Sequence, residues 1–399
     1  MHIVLVCPAW PPQRFASGIV TYVNHLRNEL RDRGHEVTLL VSQLHPEDSL
    51  VVDVVKVKAS VLFRIQVRLM GLLGYKHWGS SNWGRMITKA LGEIHRRAPV
   101  DVVEIEESFG WCGTVASRSG IPTVVKLHGP TFLVSPLGPA PDLAKAKRIE
   151  REGRALFNVR TIISPAQCTL DQTIARYGLH PEYACQVVNS IVGRTDLPLW
   201  DANHCDKNAI LFVGRFDEVK GADIVLKAFK LLLARHGNLK LVFVGPDNGL
   251  PGDHGVTLSM GPYLDQLFDT SQKAAINYLG RRSPSEIEKL RCEAFVTVVA
   301  SRWENQPYTL LEAMLQGCPV VASNSGGIAE IVEDGKTGKL FECANEVALA
   351  DALGVLIDHP QLAANMGKLA RQYVLERHSS AAMTDATLLA YQHALSPTH

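Results

Sequence analysis

No apolar run in this chain reaches the length of about 18 residues that a membrane-spanning helix needs. There are eight cysteines but no C-x-x-C pair, so neither a zinc site nor a redox motif is visible. Several cysteines, such as Cys7 and Cys318, fall in apolar runs, as the buried reduced thiols of a cytosolic protein do. Neither sign of charge is in excess. A formal net charge of +1 argues against a dedicated nucleic-acid binder, which carries a strong basic surplus. The absence of G-x-G-x-x-G and of G-x-x-x-x-G-K-[ST] removes support from dinucleotide and P-loop readings. There is no Asp-x-Asp pair of the kind that holds a metal on a diphosphate. The opening run His2-Ile3-Val4-Leu5-Val6-Cys7 lacks a basic flank and is stopped by Pro8. It reads as a short buried strand, not as a targeting signal.

What is present is the composition of an ordinary globular protein, 46% hydrophobic and 20% charged over 399 residues, enough for two or three domains. After the first strand come a loop from Pro8 to Gly18 and a helix marked by Ile19, Val23, Leu26 and Leu30. Gly34 ends the helix, and a second strand runs from His35 to Ser42. This is a β-α-β unit, which implies parallel strands and a right-handed crossover. The order recurs in Ile210–Gly214, a loop to Gly221, a helix marked by Ile224, Ala228 and Leu232, and a strand from Leu239 to Gly245. Phe295–Ala300, Pro307–Gln316, Pro319–Ser323 and Ile328–Val332 continue the alternation. The expected fold class is α/β, with two doubly wound domains in series and the polar segment Gly193 to Lys207 as linker. Ligands of such domains sit beyond the carboxyl ends of the strands.

Loops at such ends carry chemistry. In the segment from Ser301 to Gly317, Glu304 precedes a helix and Glu312 lies within it, among Leu310, Leu311, Ala313, Met314 and Leu315. Pro307 suits the first helical turn, and Gly317 suits the left-handed position past its end. A carboxylate in so apolar a segment needs a partner or a ligand, or else a solvated outer face. Arg215 and Lys220 flank a helix start, where two cations suit a phosphate; internal pairing with Asp217 and Glu218 is the alternative. Gly326-Gly327 fits either an anion nest or a tight turn. His128 ends the strand Val124–Leu127, and Ser17-Gly18 opens the first helix.

Taken together, these loops resemble the retaining GT-B glycosyltransferases of glycosyltransferase family 4 over nearly the whole chain. The sharpest element is the Glu-x7-Glu pattern of Glu304 and Glu312, followed by Gly317, Pro319-Val320-Val321 and Gly326-Gly327-Ile328-Ala329-Glu330. Arg215 and Lys220 match the family's basic pair in its Gly-Arg…Lys-Gly loop. The resemblance implies two Rossmann-like domains facing across a cleft. Residues 1–193 would bind the acceptor and residues 208–379 the donor, with the segment from about 380 packing back on the first domain. It implies metal-independent, cofactor-free transfer from a nucleotide-diphosphate sugar, such as a UDP- or GDP-sugar, to a hydroxyl acceptor. Arg215 and Lys220 would hold the diphosphate, Glu312 the ribose, and Glu304 the donor sugar beside Asn305, Gln306, Pro307 and Tyr308. His128 would face the transferred sugar, Gly18 would admit the diphosphate, and Arg281 and Arg282 would cup the base. Three positions depart from the family pattern. Ser17 stands where many relatives have a second glycine, Glu106-Glu107 where the family often has His, and Asn305-Gln306 where Gly-Phe is common. The rival readings are a nucleotide-sugar epimerase and a non-catalytic nucleotide-sugar binder.

One motif stands outside these loops. Between Lys56 and Arg97 lie Lys58, Arg64, Arg68, Lys76, Arg85, Lys89 and Arg96, against a single acid, Glu93. Val61, Leu62, Ile65, Leu69 and Leu72-Leu73 add apolar surface, followed by Trp78 and Trp83. Such a stretch either lies on an anionic membrane or packs as an ordinary helix pair on the sheet. The first reading would place a cytoplasmic chain peripherally at the inner face of the membrane.

Overall fold

A computed structural model describes the chain except for residue 16 and residues 46–52, 75–77, 135–142, 253–255 and 397–399, together with the side chains of residues 80 and 81. Lys76 of the basic stretch lies outside the described residues. Two compact units divide the chain. The first comprises Met1–Ser135, Pro141–Ser190 and Ser380–His399, and the second contains Ile191–Ser379.

In the first unit the strands are β1 (His2–Trp10), β2 (Glu36–Leu44), β3 (Val54–Lys56), β4 (Val102–Glu106), β5 (Thr123–Lys126), β6 (Thr161–Ser164) and β7 (Tyr183–Gln186). They form one parallel sheet in the order β3-β2-β1-β4-β5-β6-β7. Strands buried on both faces read as continuous apolar runs, and Ile3, Val4 and Leu5 are all buried. Ser17 caps the helix Gly18–Asp32, accepting the Val20 N–H at 3.2 Å. That helix packs one face of the sheet through Val23, Leu26 and Leu30. The C-terminal helix Ser380–Leu395 covers the same face through Met383, Ala390 and Tyr391.

Pro8 does not stop the first strand, which continues to Trp10 with Ala9 opposite Gln43 and Trp10 opposite Leu44. β4 pairs with β1 only at Ile3, Val4 and Leu5. Beyond that point no strand among the described residues pairs with this side of β1, where a proline without an N–H is tolerated.

The second unit contains β8 (Asp206–Val213), β9 (Lys240–Val244), a short antiparallel pair β10 (Leu250–Pro251) and β11 (Thr257–Leu258), then β12 (Ile276–Gly280), β13 (Ala294–Val299), β14 (Val320–Asn324) and β15 (Lys339–Glu342). Its main sheet is parallel, in the order β12-β9-β8-β13-β14-β15. The segment Gly193 to Lys207, expected as a linker, is packed on this unit. Trp200 donates its indole N–H to the Ala294 carbonyl at 2.8 Å and its backbone N–H to the Gln316 carbonyl at 2.9 Å. At Asp206 the segment becomes β8.

Candidate active site

The chemistry of the second unit lies past the carboxyl ends of β8 and β13. From β8 the chain enters Gly214–Gly221 and then the helix Ala222–Arg235. Gly221 must be glycine: its φ is +69°, and a Cβ there would stand 2.0 Å from the Ala300 carbonyl oxygen. Within the loop, Asp217 accepts the Lys220 backbone N–H at 2.9 Å and receives the Arg215 guanidinium. The expected internal pairing is therefore present for Arg215 and Asp217. Lys220 instead leaves its loop and pairs with the Glu304 carboxylate, which also accepts the Ser301 hydroxyl at 2.9 Å.

A further residue binds these two loops together. Arg302 donates to both oxygens of Asp223 at 2.8 and 2.7 Å and also to the Glu218 carbonyl, while its backbone N–H donates to the Val219 carbonyl at 2.9 Å. A forked guanidinium–carboxylate contact of this kind fixes orientation as well as distance. Arg302 and Asp223 carried no signal in the sequence, because each is an isolated charge in a loop or a helix start until the fold joins them.

Asn305 and Gln306 are buried behind Glu304. Pro307 stands one place outside the helix it was expected to begin. Its backbone is extended (φ −75°, ψ 125°), and the helix runs Tyr308–Gln316. The Pro307 carbonyl accepts the N–H of Leu310 at 3.2 Å, so the proline acts as the cap. Gly317 takes the left-handed position at φ +76°. Glu312 has a protein partner, the guanidinium of Arg291, which is itself buried and reaches Gln316 at 3.3 Å. That pair explains how a carboxylate sits in an apolar helix, and Glu312 remains 42% exposed.

Gly326-Gly327 serves as a close contact to the Glu304 loop. Gly327 donates its N–H to the Glu304 carbonyl at 2.9 Å, and a Cβ on Gly326 would lie 2.3 Å from that oxygen. The Gly327 N–H is thus already used and is not offered to an anion. Arg281 and Arg282 are exposed just past β12, on the far edge of the same sheet, where Arg282 lies 3.7 Å from Glu286.

In the first unit, His128 follows β5, and its ring meets Tyr22 of the first helix edge-on at 5.3 Å. Tyr22 lies one turn past Gly18, so Gly18 and His128 belong to adjoining elements. Burial, with a smaller push from Lys126, lowers the His128 imidazole to about 3, so it is neutral near pH 7. Glu107 accepts the backbone N–H groups of His128 and Gly129, both at 2.8 Å, and so fixes the turn that presents the imidazole. Burial raises Glu107 to about 8 and Glu106 to about 7. Glu152 completes this carboxylate group, accepting the Thr131 N–H at 2.9 Å and its hydroxyl at 2.8 Å. Among the described residues no group of three or more His, Cys, Asp or Glu side chains is arranged to hold a metal ion.

Residues 201–373 match the sequence profile of glycosyl transferases group 1, and residues 17–189 match that of the glycosyl transferase 4-like domain. D-inositol 3-phosphate glycosyltransferase 1 of Catenulispora acidiphila is 28% identical over 304 residues, 69% of this chain and 69% of that one. Other curated relatives align over less, and the chain spans between 35% and 44% of their length. Sucrose-phosphate synthase from Thermosynechococcus elongatus superposes with a TM-score of 0.76 at 18% identity, covering 98% of both chains. The Anabaena protein HepE, solved in complex with UDP-glucose, superposes with a TM-score of 0.69 at 17% identity, covering 98% of this chain and all of the other. These superpositions show a GT-B fold.

Proposed function

We propose that the chain, whose residues 201–373 match glycosyl transferases group 1 and whose residues 17–189 match the glycosyl transferase 4-like domain, is a retaining enzyme of glycosyltransferase family 4 that moves a sugar from a nucleotide-diphosphate sugar to a hydroxyl acceptor. The observation that carries this reading is the Lys220–Glu304 pair, formed between two strand-end loops with Arg215 alongside. Breaking a glycosyl–phosphate bond develops positive charge on the sugar and negative charge on the departing diphosphate. Arg215 and Lys220 supply fixed positive charge for the leaving group, which lowers that barrier without requiring a metal. Glu304 supplies a carboxylate for the sugar hydroxyls, and the Arg302–Asp223 fork keeps both loops in place while donor exchanges for the Lys220–Glu304 contact.

Glu312 binds the ribose hydroxyls through its exposed edge, with Arg291 holding the other. Arg281 and Arg282 line the base. From the first unit, His128 offers a neutral imidazole to the transferred sugar, and Gly18 opens the helix that receives the diphosphate. The departing phosphate takes the acceptor's proton, so no dedicated base is assigned. UDP is the preferred nucleotide in this reading, because a solved neighbour of the same fold holds UDP-glucose.

A panel of UDP- and GDP-sugars, assayed for donor hydrolysis and for transfer, tests the reading. Lys220→Ala and Glu304→Ala are each expected to lower the rate on the order of 100-fold or more with thermal stability retained. Full activity in either variant sinks the assignment.

A further inference from the structure

The helix Val61–Leu72 has two apolar faces, and only one is covered. Phe63 is buried against Trp78 and Trp83, with ring centroids 5.6 and 5.9 Å away. Val67 packs over Gly79, where a Cβ would come within 3.0 Å of it. On the other side Leu62, Ile65, Leu69 and Leu72 recur at the spacing of a single helical stripe, which Leu73 continues. Each is more than half exposed, and Leu72 is 86% exposed. Single exposed leucines are ordinary, whereas a contiguous stripe marks a contact surface. Arg64 and Arg68 are exposed along its border.

Ser60 caps this helix, accepting the Phe63 N–H at 3.1 Å, and it also lines a cavity of about 320 Å³. Lys56, Lys58, Lys89 and Arg97 line the same cavity, with Glu93 as the one carboxylate. Among the described residues none of these four cations has an ion-pair partner. Between Asp53 and Glu93 the sequence contains seven Lys or Arg and no carboxylate, so stripe and cavity share one positive field.

We propose that the first unit docks on an anionic phospholipid bilayer, with the Leu62–Leu72 stripe at the acyl boundary and a headgroup phosphate in the Lys56–Lys58–Lys89–Arg97 cavity. The occupant must be apolar beside the helix and anionic at its start, and a bilayer with acidic headgroups is both. A soluble phosphate matches only the cavity. A second copy of this chain would bring the same cations against themselves across a two-fold interface. The helix lies on the surface and does not cross it. It has 12 residues, and no helix among the described residues is long and apolar enough to span a membrane. Docking uses none of the residues assigned to sugar transfer, so donor hydrolysis measured on the same variants separates a failure of this proposal from a failure of that one.

The test is co-sedimentation of the full chain with vesicles of phosphatidylcholine alone and of phosphatidylcholine mixed with phosphatidylglycerol. Binding is expected only to the mixed vesicles and is expected to weaken as salt is raised, which needs no variant. Arg64→Gln with Arg68→Gln is expected to weaken it about 30-fold at low salt, and Lys58→Gln with Lys89→Gln by a similar factor. Leu69→Gln with Leu72→Gln is expected to weaken it on the order of tenfold or more, with an unchanged melting temperature because both side chains are exposed. Three results overturn the proposal. One is equal binding to neutral and anionic vesicles. Another is binding of inorganic phosphate by a chain that ignores vesicles. The third is a dimer that ignores vesicles and becomes a monomer in the Leu69/Leu72 variant.

Discussion

Burial favours the neutral form of both His128 and Glu106, yet the two tie stability to pH with opposite signs. Folded His128 titrates at about 3 against 6.5 for a free imidazole. Between those values the unfolded chain binds a proton that the folded chain refuses, so the contribution present above pH 6.5 is lost as pH falls. Glu106 titrates at about 7 against 4.5, chiefly because of burial. Here the unfolded chain ionises first, so the contribution is complete below pH 4.5 and is lost as pH rises through 7. Glu106→Gln is therefore expected to flatten the stability profile between about pH 4.5 and 7. At its upper limit the gain near pH 8 is roughly 3 kcal/mol. His128→Gln is expected to flatten the acid side, below about pH 6.5. Urea denaturation across that range reads both, and slopes identical to the parent chain in both variants would contradict the neutral assignments. A neutral His128 also means that the rate profile should show no limb near pH 6.5 from this residue.

At the scale of elements, the candidate site depends on how the loop after β8 and the loop after β13 are held. The Gly326-Gly327 turn presses directly on the Glu304 carbonyl, and Gly326 sits at φ +49°. Gly326→Ala adds no charge and removes none, yet its Cβ must push that carbonyl away. Displacing a positioned group by about 1 Å can lower a rate on the order of 100-fold. The expected outcome is a loss of that size in kcat/KM with Arg215, Lys220 and Glu304 all present; an unchanged kcat/KM would mean that the position of the Glu304 loop does not govern the reaction. The turn itself is legible in the sequence as paired glycines, but its contact with Glu304 is not, since the contact joins two separate strand ends. Arg302 and Asp223 were equally hidden: they lie 79 positions apart, and neither stands in an apolar run that would mark it. Glu312 was conspicuous for the opposite reason, as a charge among leucines. Its partner Arg291 was not, because the helix Pro284–Glu293 reads as a polar surface helix. The strand-helix alternation was readable because strands buried on both faces are written as unbroken apolar runs. Its ends were less so, as Pro8 and Pro307 show, because a proline reports a missing N–H and not whether a neighbour needs it.

At the scale of the whole molecule, the last helix belongs to the first unit even though the second unit intervenes in the chain. Tyr391 donates its hydroxyl to the Glu104 carboxylate at 2.8 Å in the buried centre of the sheet. Lys126 stands beside that carboxylate, donating to the Val187 carbonyl at 2.9 Å and lying 3.9 Å from the centre of the Tyr22 ring. Burial pushes the Glu104 carboxyl up and the Lys126 ammonium down, and the proximity of the two partly offsets both shifts. The network thereby joins the first helix, β4, β5 and the C-terminal helix at one point. Tyr391→Phe keeps the ring and its packing but leaves Glu104 short of a donor where water is excluded. The expected destabilisation is about 1–3 kcal/mol. Because the two units have separate cores, the loss of amide-exchange protection should appear in Met1–Ser135, Pro141–Ser190 and the C-terminal helix, with Ile191–Ser379 unchanged. Equal loss of protection in Ile191–Ser379 would mean that the chain unfolds as a single cooperative body and that the C-terminal helix does not stabilise the first unit alone.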